Sequence, residues 1–61
     1  MSGRVLVELA GELAEPHETE LAWRFHDGAK TVWLPKSQCE WYPHDNIMVL
    51  PEWLAKDKGL I

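Results

Sequence analysis

The sequence has few of the features that would narrow its class. Its one cysteine, Cys39, leaves no partner for a disulfide within the chain, and no positively charged and then apolar leader stands at the amino terminus. Charged or polar groups interrupt every apolar stretch well before the ~20 residues needed to cross a bilayer. We therefore expect a soluble protein in a reducing cytoplasm, with no membrane partner.

Basic residues are also scarce. Lys and Arg number 6 against 10 Asp and Glu, which gives a formal net charge of −4. This balance opposes non-specific binding to a phosphate backbone. A protein is therefore favoured over nucleic acid as the partner.

What the chain does have is tryptophan, with 4 in 61 residues. A chain of this length predicts a single domain over residues 1–61 with modest stability, because it buries only about 60% of the surface that its unfolded form exposes. So many indole rings indicate either a compact aromatic core or a binding face. The core is the favoured interpretation.

Apolar residues alternate with other residues in two segments of the first half of the chain. Arg4–Leu9 and Glu20–His26 both show this period, which predicts a strand with one buried face in each. Ala10–Thr19 lies between them and contains Gly11, Pro16 and several carboxylates. That composition predicts a solvated loop.

A hairpin is predicted at Asp27-Gly28, because glycine tolerates positive φ and the dipeptide stands between two alternating apolar runs. The next strand is expected over Lys30–Leu34, antiparallel to the preceding one. Pro35 lacks a backbone N–H and fixes its own φ, which predicts the end of regular pairing there.

The second half of the chain predicts short elements followed by a helix. Gln38–Tyr42 is expected to be a short extended segment, Pro43–Asn46 a turn, and Ile47–Leu50 the last strand. Pro51–Lys58 predicts a helix, because proline suits the first helical turn. Gly59 is suited to the left-handed conformation that ends a helix.

Trp53 and Leu54 are predicted to anchor this helix on the sheet, and Leu60 to fold back against Leu54 or Ala55. Strands followed by one terminal helix predict a mainly β fold of the order β-β-β-β-α. We expect a small antiparallel bent sheet or an SH3-like, partly open barrel, connected as a meander and capped by the helix. A plain sheet with the helix across one face is the alternative.

Three strings in the chain resemble a group of short proteins encoded by bacteriophages and prophages. They are WLPKSQ at 33–38, LPEWLA at 50–55 and KGL at 58–60. The resemblance implies a phage or mobile-element accessory protein acting in the cytoplasm of a bacterial host cell. By analogy, such a protein acts by binding a host or phage protein, and the group of such small proteins includes inhibitors of host defence systems.

Metal-ligating and nucleophilic residue types are present, but their spacing is not that of a site. Cys39, His17, His26 and His44 lack the close pairs of a structural zinc site. Ser37 or Cys39 with His44 as a base would need a third group to orient that base. We expect no metal, no cofactor and no enzymatic activity, with a core thiol and surface imidazoles.

The predicted binding surface combines aromatic and polar side chains from the middle of the chain. Its members are Trp33, Lys36, Gln38, Trp41 and Tyr42. If Val32 and Leu34 face inward, alternation turns Trp33 outward onto this surface. Packing of Trp33 under the helix, beside Trp53, is the open alternative.

Two functional classes follow from this surface. In the first, a protein-binding module, the exposed aromatic rings are interface anchors. In the second, a small single-stranded nucleic-acid-binding barrel, the same rings stack on bases while Arg24, Lys30 and Lys36 meet phosphates. Exposed edge strands or a Trp patch also predict a homodimer.

Overall fold

The structure, a computed structural model, describes residues 5–61, and Arg4, where the first strand was predicted to begin, lies outside that range. The described residues form six strands and one short helix. These elements are β1 (Leu6–Ala10), β2 (Glu12–Glu18), β3 (Ala22–His26), β4 (Thr31–Pro35), β5 (Glu40–Tyr42), β6 (Ile47–Pro51) and α1 (Glu52–Asp57). Within residues 5–61 no helix is long and apolar enough to span a membrane.

The strands form two antiparallel three-stranded sheets that do not close into a barrel. The first sheet has the order β1-β6-β5, and the second sheet has the order β2-β3-β4. The second sheet is a simple meander. In the first sheet, by contrast, β1 pairs with β6, so the first and last of the described strands are neighbours. The prediction of a mainly β fold with one C-terminal helix is confirmed.

The prediction of a loop over Ala10–Thr19 is wrong, because β2 occupies most of this segment. Leu13 pairs with Phe25 of β3 and packs against the core. The register shifts between Leu13 and Glu18, a stretch that holds Pro16, and this irregularity hides the alternation that would reveal a strand. Because β5 also pairs, residues 5–61 contain six strands where four were predicted.

A tight turn joins β2 to β3 and delays the start of β3. The backbone N–H of Thr19 donates to the carbonyl of Ala22 at 2.8 Å, and the hydroxyl of Thr19 accepts the N–H of Ala22 at 3.2 Å. The strand predicted over Glu20–His26 therefore begins at Ala22. Leu21 lies in the turn and is 77% exposed.

The chain passes from the first sheet to the second at Gly11, between β1 and β2. The N–H of Gly11 donates to the carbonyl of Asn46 at 3.1 Å. A β-carbon at this position would lie 2.6 Å from Cζ of Phe25 and closer still to the carbonyl oxygen of His26. This corner therefore requires glycine for close backbone approach.

The hairpin predicted at Asp27-Gly28 joins β3 and β4. Gly28 has a φ of 104°, and Oδ1 of Asp27 accepts the N–H of Ala29 at 2.8 Å and that of Lys30 at 2.9 Å. The bonds from Lys30 and then Ala29 lower the pKa of Asp27, because they favour its charged form. The side chain of Asp27 thus holds the turn closed.

The register of this hairpin decides which side chains face the core. Phe25 pairs with Val32, and Trp23 pairs with Leu34. Leu34 is fully buried, so alternation places Trp33 on the opposite, outer face. Of the two alternatives left open for Trp33, the structure shows the outward orientation rather than packing under the helix.

Buried side chains from both sheets and from the helix form one core. They are Phe25, Leu34, Cys39, Met48, Leu50, Leu54 and Ala55. The rings of Phe25 and Trp41 meet edge to face, with centroids 6.0 Å apart and an interplanar angle of 65°. This aromatic pair connects β3 of the second sheet to β5 of the first.

The helix is attached by its small and aliphatic residues rather than by its indole. Leu54 and Ala55 are buried, whereas Trp53 is 58% exposed. The prediction that Trp53 anchors the helix is thus wrong, because in a helix this short only one narrow face reaches the core. The helix predicted over Pro51–Lys58 spans Glu52–Asp57, because Pro51 has an extended ψ of 144°, ends β6 and occupies only the N-cap position.

The end of the helix follows the prediction. Gly59 has a φ of 75°, in the left-handed region that glycine adopts without strain. The N–H of Leu60 donates to the carbonyl of Ala55 at 2.8 Å, and its side chain packs against the core. The chain therefore turns back onto the molecule after the helix.

Candidate functional site

The outer face of the first sheet carries an open groove, which we call the outer-face groove. It has a volume of about 550 Å³ and crosses all three strands. The residues that line it are Leu6, Glu8, Glu40, Tyr42, Asp45, Ile47 and Val49. Strand alternation explains the set, because the neighbours of these residues on β1 and β6, such as Val7 and Met48, point into the core.

Strand pairing orders this face into rows. Val49 of β6 lies between Glu8 of β1 and Glu40 of β5 in the register of the sheet. In the next row, Ile47 lies beside Tyr42. The centre of the groove is therefore aliphatic, and carboxylates stand on both sides of it.

Two apolar side chains of the groove are well exposed. Leu6 is 56% exposed at one edge of the sheet, and Tyr42 is 44% exposed at the other. The hydroxyl of Tyr42 donates to Oε1 of Glu40 at 2.5 Å. This hydrogen bond and the charge of Glu40, with a smaller contribution from the charge of Glu8, raise the pKa of Tyr42.

A smaller depression of about 290 Å³ continues the groove toward the segment between β4 and β5. It shares Leu6, Glu40 and Val49 with the groove and adds the segment 36–39. Predicted site residues Lys36 and Gln38 therefore border the same surface as Tyr42. Three of the five predicted site residues are brought together.

Lys36 is held in place by contacts within the chain. Its Nζ forms an ion pair with Glu18 and lies 5.6 Å from the centroid of the Trp23 ring. Gln38 donates its backbone N–H to the carbonyl of Pro35 at 3.0 Å, which closes a turn. Both residues thus shape the rim of the surface.

Trp41 and Trp33 lie away from this surface. Trp41 is half-buried against Phe25, because alternation within β5 turns it inward while Tyr42 turns outward. Trp33 lies on the outer face of the second sheet, 41% exposed, with the guanidinium of Arg24 at 5.8 Å from its ring centroid. Arg24 also donates to the carbonyl of Glu15 at 2.6 Å.

The single thiol belongs to the core. Cys39 is buried, and burial raises its pKa to about 11, so the thiol is protonated at neutral pH. His17 and His44 are exposed, and His26 is half-buried with Nδ1 at 3.0 Å from the hydroxyl of Thr31. In the part of the chain that the structure describes, no group of three or more His, Cys, Asp or Glu is placed to hold a metal ion.

Alkylation of Cys39 by iodoacetamide at pH 8 should be slow in the folded protein. A pKa of about 11 leaves far less thiolate than the ~8.5 of an exposed thiol, so we expect a rate on the order of 100-fold below that of the urea-unfolded chain. The measurement is the mass shift over time in both states. As a control, Ser37→Cys combined with Cys39→Ala supplies an exposed thiol, and equal rates for this variant and the native chain would contradict the buried position.

The aliphatic residues of the groove were missed in the sequence. Leu6 lies on the outward face of β1, the face that also carries Glu8. An apolar residue at an otherwise polar position of the alternation was the one feature of the sequence that could have indicated this surface. Val49 and Ile47 gave no such signal, because Ile47–Leu50 is apolar throughout. Only the pairing of β6 between β1 and β5 shows which of its side chains face out.

Comparison with known proteins identifies no relative: no family model, curated protein or solved structure matches the chain. The resemblance of the strings at 33–38, 50–55 and 58–60 to phage and prophage proteins stays a prediction. Function is therefore inferred from the exposed faces of the two sheets.

Proposed function

We propose that this chain is a non-enzymatic protein-binding module that uses the outer-face groove as its recognition surface. The observation that carries the proposal is the pair of exposed apolar side chains, Leu6 at 56% and Tyr42 at 44%, at opposite edges of one groove. Exposed apolar surface rimmed by polar groups is typical of protein interaction sites. Tyrosine is also among the residues that contribute most to interface energies.

The lining of the groove supports a partner with an apolar contact surface. Leu6 of β1 and Ile47 and Val49 of β6 form an aliphatic strip across two strands, and Tyr42 of β5 flanks it with a ring and a hydroxyl. Covering such a strip removes apolar area from water, which favours association. The polar rim supplies orientation rather than most of the affinity.

The biological setting belongs to the same proposal. The resemblance at 33–38, 50–55 and 58–60 supports a phage or mobile-element accessory protein in the cytoplasm of a bacterial host. Its partner is a host or phage protein, and inhibition of a host defence system is the role that this setting favours. The finer description of the fold as an SH3-like, partly open barrel is also proposed, supported by two small sheets joined at the Gly11 corner.

Single-stranded nucleic acid is the weaker alternative. Of the basic residues assigned to phosphate contacts, Arg24 already donates to the carbonyl of Glu15 and lies over the ring of Trp33. Lys36 is paired with Glu18. The groove itself carries carboxylates, which repel a phosphate backbone.

Affinity capture from a bacterial lysate, followed by binding of the identified protein in purified form, tests the function. We expect wild type to bind that protein directly and the Leu6→Ser, Tyr42→Ser variant to lose about 100-fold or more in affinity, because interface anchors are costly to truncate. Circular dichroism verifies that the variant is folded.

Trp53→Ser is the matched control, since it removes an exposed apolar side chain outside the groove. Its binding should equal that of wild type. If the double variant binds as well as wild type while Trp33→Ser does not, the recognition surface is on the second sheet and the proposed groove is wrong. If no purified protein binds the chain directly, the proposed function itself is wrong.

A further inference from the structure

The charges of the outer-face groove all have the same sign. Glu8, Glu40 and Asp45 line it, and its lining residues, all within the described range, include no Lys or Arg. Lys36 borders the adjoining depression but is paired with Glu18. Among the described residues, a partner of this surface therefore meets three carboxylates around an aliphatic centre.

Two of the three carboxylates of the groove flank one aliphatic side chain. Glu8 and Glu40 both pair with Val49, one from each neighbouring strand. Strands in a sheet lie ~4.8 Å apart, so the α-carbons of the two glutamates are roughly 10 Å apart, with Val49 between them. A lysine or arginine laid across the row would place its methylene stem on Val49 and its charged end at a carboxylate.

Tyr42 lies in the row next to Glu8 and Glu40, within reach of the charges of both glutamates. The phenol donates to Glu40 at 2.5 Å, and the charges of Glu40 and Glu8 both raise its pKa. The field over this part of the groove is therefore negative. A cationic group entering there gains attraction from both carboxylates.

Other occupants fit this surface less well. A second copy of the chain placed face to face would set Glu8, Glu40 and Asp45 against the same carboxylates, and like charges at an interface disfavour association. Anionic lipids and nucleic acids carry phosphates, which the groove repels. The formal net charge of −4 acts in the same direction for the whole chain.

We infer that the outer-face groove recognises a basic, apolar segment of a partner protein, one that presents Lys or Arg together with Leu, Ile or Val side chains on the same face. The apolar side chains cover Leu6 and Val49, and the basic side chains meet Glu8 and Glu40. The inference rests on the proposed function, since it names the chemistry of the partner at that same groove. Electrostatic complementarity of this kind selects partners and speeds their association.

Blocked synthetic peptides test the inference directly. The probe is a repeat of leucine, serine, lysine and serine, which puts leucine and lysine on the same face of an extended peptide. Two matched peptides carry glutamine or glutamate at each lysine position. Amide chemical shifts in nuclear magnetic resonance spectra locate the bound peptide, and calorimetry at low and moderate salt measures its affinity. We expect the lysine peptide alone to bind tightly, to shift Leu6, Glu8, Glu40 and Val49, and to weaken as salt rises.

Charge-matched variants separate the groove from the net charge. The Glu8→Gln, Glu40→Gln variant should bind the lysine peptide about ten-fold more weakly, because each lost ion pair removes a modest attraction. Glu12→Gln with Glu20→Gln makes the same change in net charge at exposed positions outside the groove and should alter affinity by less than about two-fold.

The outcomes distinguish the two proposals. If the glutamine peptide binds as well as the lysine peptide and Leu6→Ser abolishes both, the charge selection is overturned and the proposed function stands. If the lysine peptide leaves the groove amides unshifted, or if both double variants weaken binding equally, the inference is overturned. The proposed function then depends on the capture experiment with Leu6→Ser, Tyr42→Ser, which uses no assumption about the charge of the partner.

Discussion

Replacing Gly11 with alanine is expected to remove a large part of the folding free energy of this protein. The added β-carbon would stand 2.6 Å from Cζ of Phe25 and overlap the carbonyl oxygen of His26. Strain in a packed core costs about 3 kcal/mol when the backbone must move. A domain of 61 residues has only about 3 to 9 kcal/mol in total. Urea denaturation, followed by tryptophan fluorescence and circular dichroism, measures the loss.

Gly28→Ala is the matched control for this prediction. Gly28 has a φ of 104° and no atom within 4 Å of an added β-carbon, so its substitution carries a conformational cost without a steric one. We expect about 1 to 2 kcal/mol for that cost. A larger effect at Gly28 than at Gly11 would contradict the tight corner between the sheets.

A double variant separates the two contacts at the corner. Gly11→Ala combined with Phe25→Leu removes the ring contact but keeps the overlap with the carbonyl of His26. Because the two sites touch, their effects should not add, and the double variant should be more stable than the sum of the single effects predicts. Strict additivity would show that the ring and the corner do not meet.

Phe25→Ala is the second substitution expected to have a large effect. The ring is fully buried and meets Trp41 edge to face at 6.0 Å, which connects the two sheets. Truncation of a buried phenylalanine costs about 3 to 5 kcal/mol through lost transfer energy and the cavity that remains. We expect a loss of this size in the same urea experiment, with the tryptophan fluorescence of the chain shifted toward that of an indole in water.

Trp53→Ala serves as its control, because it removes a larger ring from an exposed position of the helix. Trp53 is 58% exposed, and alanine is a better helix former, so we expect a change of no more than about 0.5 kcal/mol. If Trp53→Ala destabilised the protein as much as Phe25→Ala, the helix would be anchored by its indole, as the sequence had predicted.

Much of the fold could be predicted where local chemistry decides it. The hairpin of β3 and β4 follows from Asp27-Gly28, whose turn conformation and side-chain bonds are local. The stop after the helix follows from Gly59 for the same reason. The strand β2 escaped prediction, because Pro16 and the register shift remove its alternation, and its pairing with β3 is visible only in three dimensions.

The candidate site was predictable only in part. Tyr42 was identified as an exposed aromatic residue, and Lys36 and Gln38 border the same surface. Trp41 is the middle residue of β5 and points inward, whereas Glu40 and Tyr42 point outward. The sequence alone does not show which of these alternate positions faces the core. The row of Glu8, Val49 and Glu40 depends on pairing across most of the chain, and no local pattern predicts it.

The pairing of β1 with β6 also bears on the order in which the two sheets form. The strands of the second sheet, β2 to β4, follow one another, so each pairing closes only a short loop. β1 instead pairs with Ile47–Pro51, near the other end of the described residues. Closing that long loop costs more chain entropy, so we expect the first sheet to form after the second.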